Sequence, residues 1–386
     1  MPTPTHIAAL DIGTNSVVLL LLRRETDGTL HRVLEPSHIT RLGEDVAKTG
    51  VLQPQAMART LAAVAELMRE LRTHAPDNLG IAVATSAVRD AANGPEFLDR
   101  CAELIGGRPQ LFSGHEEADT MFLGATSDLA PGTHCLCVDI GGGSTELAAG
   151  TPGHCDFRTS LNLGCVRLGE AHHLFSQATP ANIHAARQAA ALLLHDACQG
   201  VASSPPLKPP EGASGTAFFL TPSVAECAGG AGHAPTATRH APADSATLRL
   251  KVNRGSATLQ RGSGGGGEFI LANGIPPTCV AAGGTATTFA ALALGMAPFD
   301  PERIHGQRFT EACISDWAAR LLPLTPAARA LNPGLSLDRA PVLPAGLLIL
   351  SEIQRGVGAP EVTVTTSGLR YGLCLRLLAG ELEPTW

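Results

Sequence analysis

The sequence predicts an α/β protein made of two similar domains that face each other across a cleft. Two segments of nearly the same pattern are the main reason, and they read DIGTNS at residues 11–16 and DIGGGSTE at residues 139–146. Each follows an apolar run, which is the pattern of a buried strand that ends in a tight turn. Strand-like and helix-like segments alternate along the chain, which is typical of α/β proteins. A length of 386 residues leaves room for two such domains.

The first half of the chain contains the elements of one domain. Apolar runs predict strands, and apolar residues at helical spacing predict helices. Pro54 suits the first turn of the longest helix. The predicted elements are paired strands at 7–10 and 17–22, a helix at 54–74, a strand at 81–84, a helix at about 95–105 and a strand that ends at Phe112.

The second half repeats the alternation around one unusual segment. Residues 200–274 carry Pro-Pro and Gly-Gly pairs and few large apolar residues, so we interpret them as a low-complexity, mobile insertion with short strands at 247–252 and 268–271. The other predicted elements are a strand that ends at Asp139, a strand at 146–149, a helix at about 180–198, a strand at 279–282 with a turn and a helix to Leu294, helices around 314–322 and 340–353, a strand at 362–365, a turn at 367–368 and a final helix to about Leu378.

These elements set the expected domain limits. Residues 1–126 form the N-terminal domain, and 127–199 together with 275–373 form the C-terminal domain. Residues 374–386 are a C-terminal helix and tail that can pack back on the first domain.

Charge and cysteine usage exclude several classes of protein. A net charge of −7 and a pI near 6.0 argue against nucleic-acid and anionic-membrane binding, because both surfaces demand a basic excess. The ten cysteines lack metal-site spacing and are expected to be reduced core residues of a cytoplasmic protein, with Cys135 and Cys137 on one face of a strand. Asp11 and Asn15 interrupt the apolar run at 7–22, so it is neither a secretory signal nor a membrane span.

The glycine loops have the composition of phosphate-binding turns. Glycine lets the backbone approach a ligand closely, so that successive N–H groups point at anionic oxygens, and hydroxyl side chains add donors. A third turn of this type, GGTATT, stands at residues 283–288. The predicted phosphate-binding residues are Asp11, Gly13, Thr14, Asn15, Ser16, Gly141, Gly142, Gly143, Ser144, Thr145, Gly283, Gly284 and Thr285.

Asp139 and Glu146 lie on either side of the second glycine turn. On a hairpin both carboxylates can reach one Mg²⁺, with Mn²⁺ as an alternative, because hard cations prefer oxygen ligands. An aspartate at a strand end can also simply cap a turn. The repetition of the loop favours the metal interpretation.

Two neighbouring glutamates begin the helix after Phe112. Ser113 and Glu116 have the spacing of a capping box, which gives Glu116 a structural role. Glu117 is then free to face a cleft, where it could deprotonate a water for attack on phosphorus. Both glutamates could also merely complement the helix dipole, and these residues alone favour that alternative.

Two arginines are candidate substrate contacts, Arg89 and Arg167, because guanidinium suits phosphate oxygens. Solvated surface arginines are the commoner case. His172, His173 and His184 lack Cys or Asp partners and are interpreted as surface residues.

Taken together, these motifs resemble the exopolyphosphatase and guanosine pentaphosphate phosphohydrolase family, a branch of the superfamily of actin, acetate kinase and sugar kinases. The resemblance covers nearly the whole chain apart from the insertion. Its motifs are residues 9–16, 41–44, 84–91, 113–118, 139–146, 164–168, 283–288, 338–340 and 368–370.

The resemblance implies two actin-like, ribonuclease H-like domains of mixed sheets flanked by helices, with the active site in the interdomain cleft. It implies magnesium-dependent hydrolysis of a terminal phosphoanhydride in which Glu117 activates water, while Asp139 and Glu146 serve metal and water. A homodimer is expected at the level of the family. Two departures concern the substrate: Val18 stands where a basic residue is usual, and Tyr371 stands where a glutamate is common.

Three functions remain open at this point. The leading one is release of orthophosphate from the end of inorganic polyphosphate, with guanosine pentaphosphate as a second substrate. The second is a non-catalytic sensor of polyphosphate or of a guanosine alarmone, which Val18 and the insertion would favour. The third is a kinase of the wider superfamily, for which the sequence has no acceptor-pocket signal.

Overall fold

The computed structural model describes residues 5–201, 248–253, 256–261 and 278–386. Most of the predicted insertion, including its predicted strand at 268–271, therefore lies outside the described residues. The predicted strand at 247–252 is present as β10 (Leu248–Asn253), which pairs antiparallel with β11 (Ser256–Arg261). Within the described residues, no helix is both long and apolar enough to span a bilayer.

The first sheet has six strands and is mixed. The order is β3-β2-β1-β5-β6, with β4 beside β2; β1 pairs antiparallel with β2 and parallel with β5. The elements of this half are β1 (His6–Ile12), β2 (Ser16–Arg24), β3 (Leu30–Leu34), β4 (Ser37–Ile39), α1 (Val46–Thr49), α2 (Pro54–His74), β5 (Leu79–Ala84), α3 (Ser86–Arg89), α4 (Gly94–Ile105), β6 (Gln110–Leu111) and α5 (Gly114–Ala125).

The second sheet is also mixed and six-stranded, in the order β13-β14-β12-β7-β8-β9. Its central strand β7 pairs antiparallel with β8 and parallel with β12, as β1 does with its neighbours. The elements are β7 (Cys135–Ile140), β8 (Thr145–Thr151), β9 (His154–Leu161), α6 (Cys165–Ala171), α7 (Pro180–Val201), β12 (Thr278–Ala282), α8 (Gly283–Ala293), α9 (Pro301–Ile304), β13 (Arg308–Thr310), α10 (Glu311–Leu321), α11 (Pro326–Arg329), α12 (Leu343–Val357), β14 (Glu361–Val364) and α13 (Leu369–Leu378).

Alternation along the central strands separates three layers of core. In β7, Leu136 and Val138 pack into the core of the second half, whereas Cys135 and Cys137 face a layer between the two sheets. This follows from the two-residue period of a strand and confirms that these cysteines share a face. The predicted α/β fold of two mixed sheets flanked by helices is confirmed.

Helices α5 and α13 fill the layer between the sheets and cross in close contact. A Cβ on Gly372 would lie 1.9 Å from the carbonyl oxygen of Thr120, and one on Gly124 would lie 2.1 Å from that of Gly368. Only glycine allows the two backbones to approach so closely. The crossing fixes the first turns of both helices, which carry side chains of the site described below.

The end of the chain contacts the first sheet. The hydroxyl oxygen of Thr385 accepts a hydrogen bond from the N–H of Ala82 at 2.9 Å, and the indole N–H of Trp386 donates to Asn78 Oδ1 at 2.8 Å. Residues of both sheets share the layer around α5 and α13, so the domain limits predicted above stay a prediction at the level of single residues.

Arg329, at the end of α11, is completely buried and joins three separate segments. Its Nε donates to the carbonyl of Leu321 at 2.9 Å, Nη1 to that of Ala340 at 3.1 Å, and Nη2 to that of Leu174 at 3.0 Å. Burial lowers the pKa of the guanidinium to about 10, which still leaves it charged at neutral pH. The segments after α6, at the end of α10 and before α12 therefore depend on one cation.

We expect Arg329→Lys to lower the free energy of unfolding by about 2–4 kcal/mol, because a single ammonium cannot donate to three segments at once. Urea unfolding followed by circular dichroism measures this. The control is Arg308→Lys at an exposed position, which should change stability by less than about 0.5 kcal/mol. Equal effects of the two substitutions would contradict the role given to Arg329.

Candidate active site

One cavity of about 400 Å³ lies where strand ends of the two sheets meet. All the predicted phosphate-binding residues line it except Gly143 and Thr145, and the three predicted acids Glu117, Asp139 and Glu146 line it as well. The structure therefore brings together the three turns and the carboxylates that the sequence places far apart along the chain.

The two glycine loops are built in the same way. The N–H of Gly13 donates to the carbonyl of Ser16 at 3.0 Å, and the N–H of Gly141 donates to the carbonyl of Ser144 at 3.0 Å. Among the described residues, the N–H groups at the two positions after each of these glycines have no protein acceptor. Each loop thus offers successive backbone donors, the arrangement that binds anions.

The loops also touch each other at the bottom of the cleft. A Cβ on Gly143 would lie 2.6 Å from Ser86 Oγ and 2.9 Å from Thr14 Oγ1, and those two hydroxyls bond to each other at 2.7 Å. Thr145 points away from the cavity and donates to the carbonyl of Leu163. Gly143 and Thr145 therefore support the second loop and do not line the cavity.

The third turn leads directly from β12 into α8. Gly283 has φ +78°, and a Cβ there would lie 1.9 Å from Asp139 Oδ1, so glycine is required for both conformation and space. The hydroxyl of Thr285 donates to the carbonyl of Ile140 at 2.8 Å. This bond joins the third turn to the second, and the first-turn N–H groups of α8 add further donors.

Five carboxylates line the cavity: Asp11, Glu35, Glu117, Asp139 and Glu146. Asp139 and Glu146 are directly paired across β7 and β8. Burial, with the neighbouring Asp11, raises the pKa of Asp139 to about 6. Burial, with Asp139, raises the pKa of Glu146 to about 7. Burial also raises the pKa of Asp11, against the effect of Arg370.

Glu117 lies deep in the cavity and is 9% exposed. The predicted capping box is present: Ser113 Oγ accepts from the N–H of Glu116, and Glu116 Oε2 accepts from the N–H of Ser113 at 2.8 Å. Glu117 Oε2 is buried and has no hydrogen-bond partner among the described residues. Burial, then Glu146 and Asp11, raise its pKa well above the usual range, while Arg89 at 3.6 Å lowers it.

Neither predicted arginine lines the cavity. Arg89 donates to the carbonyl of Phe112 at 2.8 Å and faces Glu117. Arg167 donates from Nε to the carbonyl of Gly143 at 2.9 Å and from Nη2 to Asp90 at 2.7 Å. In this structure Arg89 is placed to act on Glu117, and Arg167 ties the second loop to the first half of the molecule. Direct substrate contact by either one stays a prediction.

Two other arginines line the cavity, and the sequence analysis gave them no role. Arg370, in the first turn of α13, donates to Glu35 at 2.8 Å and to Asp11 at 3.4 Å. The guanidinium of Arg339 lies against Gly284 and has neither a carboxylate nor a hydrogen-bond acceptor in the described part of the chain. Arg339 and Arg370 each belong to a short motif close to the start of a helix. That position was the sequence signal from which a role for them could have been predicted.

The described residues contain no group of three or more His, Cys, Asp or Glu side chains with metal-binding geometry. This still fits Mg²⁺, which commonly binds one or two carboxylates and completes its shell with water and phosphate oxygens. The buried Asp11 Oδ1 also has no partner among those residues. The acids therefore provide oxygen donors and negative charge beside the anion-binding turns.

Comparison with known proteins identifies the family. The model of the Ppx/GppA phosphatase family matches residues 21–217, a little more than half of the chain. Exopolyphosphatase 2 of Mycobacterium tuberculosis is 28% identical over 97% of this chain and 98% of its own length. The guanosine-5'-triphosphate,3'-diphosphate pyrophosphatase of Vibrio atlanticus is 32% identical over 49% of this chain and 37% of its own length.

A solved structure supports the fold. The exopolyphosphatase from Cytophaga hutchinsonii has a TM-score of 0.72 at 19% identity, covering 97% of this chain and 98% of that one. Sequence and structure thus agree over almost the full length. The chain belongs to the Ppx/GppA phosphatase family.

Proposed function

We propose that this protein is a magnesium-dependent exopolyphosphatase that releases orthophosphate from the end of inorganic polyphosphate, with guanosine pentaphosphate as a second substrate. The observation that carries the proposal is one cavity that holds three phosphate-type turns and the carboxylate of Glu117, whose Oε2 is buried without a hydrogen-bond partner among the described residues. The relative that aligns over nearly its full length is named an exopolyphosphatase. The relative that aligns over a shorter segment is named for a guanosine pentaphosphate. The comparisons give the sensor alternative no support.

The three glycine turns bind the phosphate groups of the substrate. Free N–H groups after Gly13 and Gly141, together with the first turn of α8, surround the cavity with donors for phosphate oxygens. These donors are fixed by hydrogen bonds within each turn, so they need little reorganisation when charge develops on the transferred phosphoryl group. Arg339 and Arg370 add positive charge on the same walls.

Glu117 supplies the base. Its carboxylate accepts a proton from a water molecule, whose oxygen attacks the terminal phosphorus while the bond from that phosphorus to the bridging oxygen breaks. A raised pKa makes the carboxylate a stronger base than an exposed glutamate. Arg89 at 3.6 Å favours the ionised form that can accept the proton.

Asp139 and Glu146 would hold Mg²⁺, or Mn²⁺ in its place. When bound, the cation neutralises charge on the phosphate oxygens. Ser160 donates to Glu146 Oε1 at 2.7 Å and so fixes the orientation of that carboxylate. Asp139 is held beside it by the strand pairing.

We also propose a cytoplasmic location, without nucleic-acid or membrane partners. The cysteines that the structure describes are free thiols, and most are buried, which suits a reducing compartment. The acidic net charge of −7 is unfavourable for binding polyanionic surfaces. Dimerisation stays a prediction of the family resemblance.

We expect Glu117→Gln to lower kcat for phosphate release by about 10²–10⁴-fold, because the amide cannot accept the proton. Binding of inorganic tripolyphosphate in the presence of Mg²⁺, measured by calorimetry, should persist.

The matched control is Glu116→Gln, the same change one residue earlier. Glutamine also completes a capping box, and Glu116 does not line the cavity, so this variant should keep activity. Full activity of Glu117→Gln would remove Glu117 from the mechanism, and loss of phosphate release in both variants would point to helix α5 as the cause.

We expect Mg²⁺ to raise the melting temperature of the wild-type protein more than that of Glu146→Gln. The acids that line the cavity repel one another, and a ligand that binds only the folded state stabilises it. Differential scanning fluorimetry with and without Mg²⁺ measures the shift, with Glu116→Gln again as the control. An equal shift in wild type and Glu146→Gln would exclude Glu146 as a ligand.

A further inference from the structure

Phe299 is an aromatic residue at the opening of the cavity. Its side chain is 54% exposed, whereas Glu117, which lines the same cavity, is 9% exposed. Among the described residues that line the cavity, Phe299 is the only aromatic one. A large apolar ring held in contact with water at the mouth of a polar site calls for an explanation, because burial of that ring would be favourable.

Two loops of the second half form this part of the cavity wall. Phe299 lies in the loop between α8 and α9, and Gly334 and Ser336 lie in the segment before α12. The second loop is packed on the helix that leads to the first, since a Cβ on Gly334 would lie 2.4 Å from the carbonyl oxygen of Ala291. The segment beside the ring is therefore packed against α8.

Arg339 lies in the same segment, and its guanidinium is available to bind an anion. Its backbone N–H donates to the carbonyl of Ser336 at 3.1 Å. Its guanidinium lies against Gly284 of the third turn and has no carboxylate partner in the described part of the chain. An exposed ring and an unpaired guanidinium thus belong to one wall of the cavity, with the base Glu117 at greater depth.

We propose that Phe299 is the stacking surface for the purine base of a nucleoside polyphosphate whose phosphates extend past Arg339 toward Glu117. The inference rests on the proposed function of this site and names the residue that distinguishes its two substrate classes. An inorganic polyphosphate has no flat apolar group to cover the ring, whereas a purine base does. Phe299 then favours guanosine pentaphosphate over inorganic chains.

The test compares Phe299→Ala and Phe299→Trp with the wild type on guanosine pentaphosphate and on inorganic tripolyphosphate. We expect Phe299→Ala to lower the ratio of kcat/KM for the nucleotide to kcat/KM for tripolyphosphate by about 5- to 150-fold, the usual range for one base stacked on one aromatic ring. Phe299→Trp should keep or increase the ratio. Leu331→Ala is the matched control, because Leu331 is 84% exposed but does not line the cavity.

A binding measurement separates this inference from the proposed function. In the Glu117→Gln background, calorimetry with guanosine pentaphosphate and Mg²⁺ reports the Kd without turnover, and adding Phe299→Ala should weaken it by the same factor. If the wild type hydrolyses neither substrate, the proposed function is wrong. The Kd comparison still tests whether Phe299 stacks on the base. An unchanged Kd, an equal loss of tripolyphosphate binding, or no nucleotide binding at all would overturn the role of Phe299.

Discussion

The structure depends on keeping five carboxylates together in one cavity. Like charges that share a poorly solvated site repel one another, and burial adds a further cost to each ionised group. The pKa of Glu146 is raised to about 7 for this reason. Positively charged and hydrogen-bond-donating groups at the same site offset the repulsion. They are Arg370 beside Asp11, Arg89 beside Glu117, and the backbone N–H groups of the turns. These groups come together where strand ends of both sheets meet, so the position of the site follows from the fold.

The close crossing of α5 and α13 connects this electrostatic arrangement to the packing. Glu117 stands in the first turn of α5, and Arg370 stands in the first turn of α13. Because Gly124 and Gly372 leave no space for a side chain, the helices cannot separate or slide without losing the contact. The carboxylate of Glu117 and the guanidinium of Arg370, which are distant in sequence, are thereby held on one cavity, and a larger residue at either glycine would displace both.

The long elements and the loops could be predicted because their signals are local. Apolar runs define β1 and β7, helical spacing defines α2, and the capping box assigns Glu116 and Glu117 to different roles. The edge strand β9 was missed because most of its residues are only partly buried and give no clear alternation. The sequence could not distinguish the arginines that line the cavity from those that form structural contacts. Arg167 bonds to Asp90, 77 positions away, and no local sequence pattern predicts a partner at that distance.

The two hairpins share a turn but differ in charge, and this makes the site asymmetric. Asp11 pairs with Val18 across the first hairpin, and Asp139 pairs with Glu146 at the equivalent place in the second. Only the second hairpin places two carboxylates directly opposite each other. Val18 is 7% exposed and its side chain has no polar atom, so the first hairpin lacks at that place the carboxylate that Glu146 brings to the second.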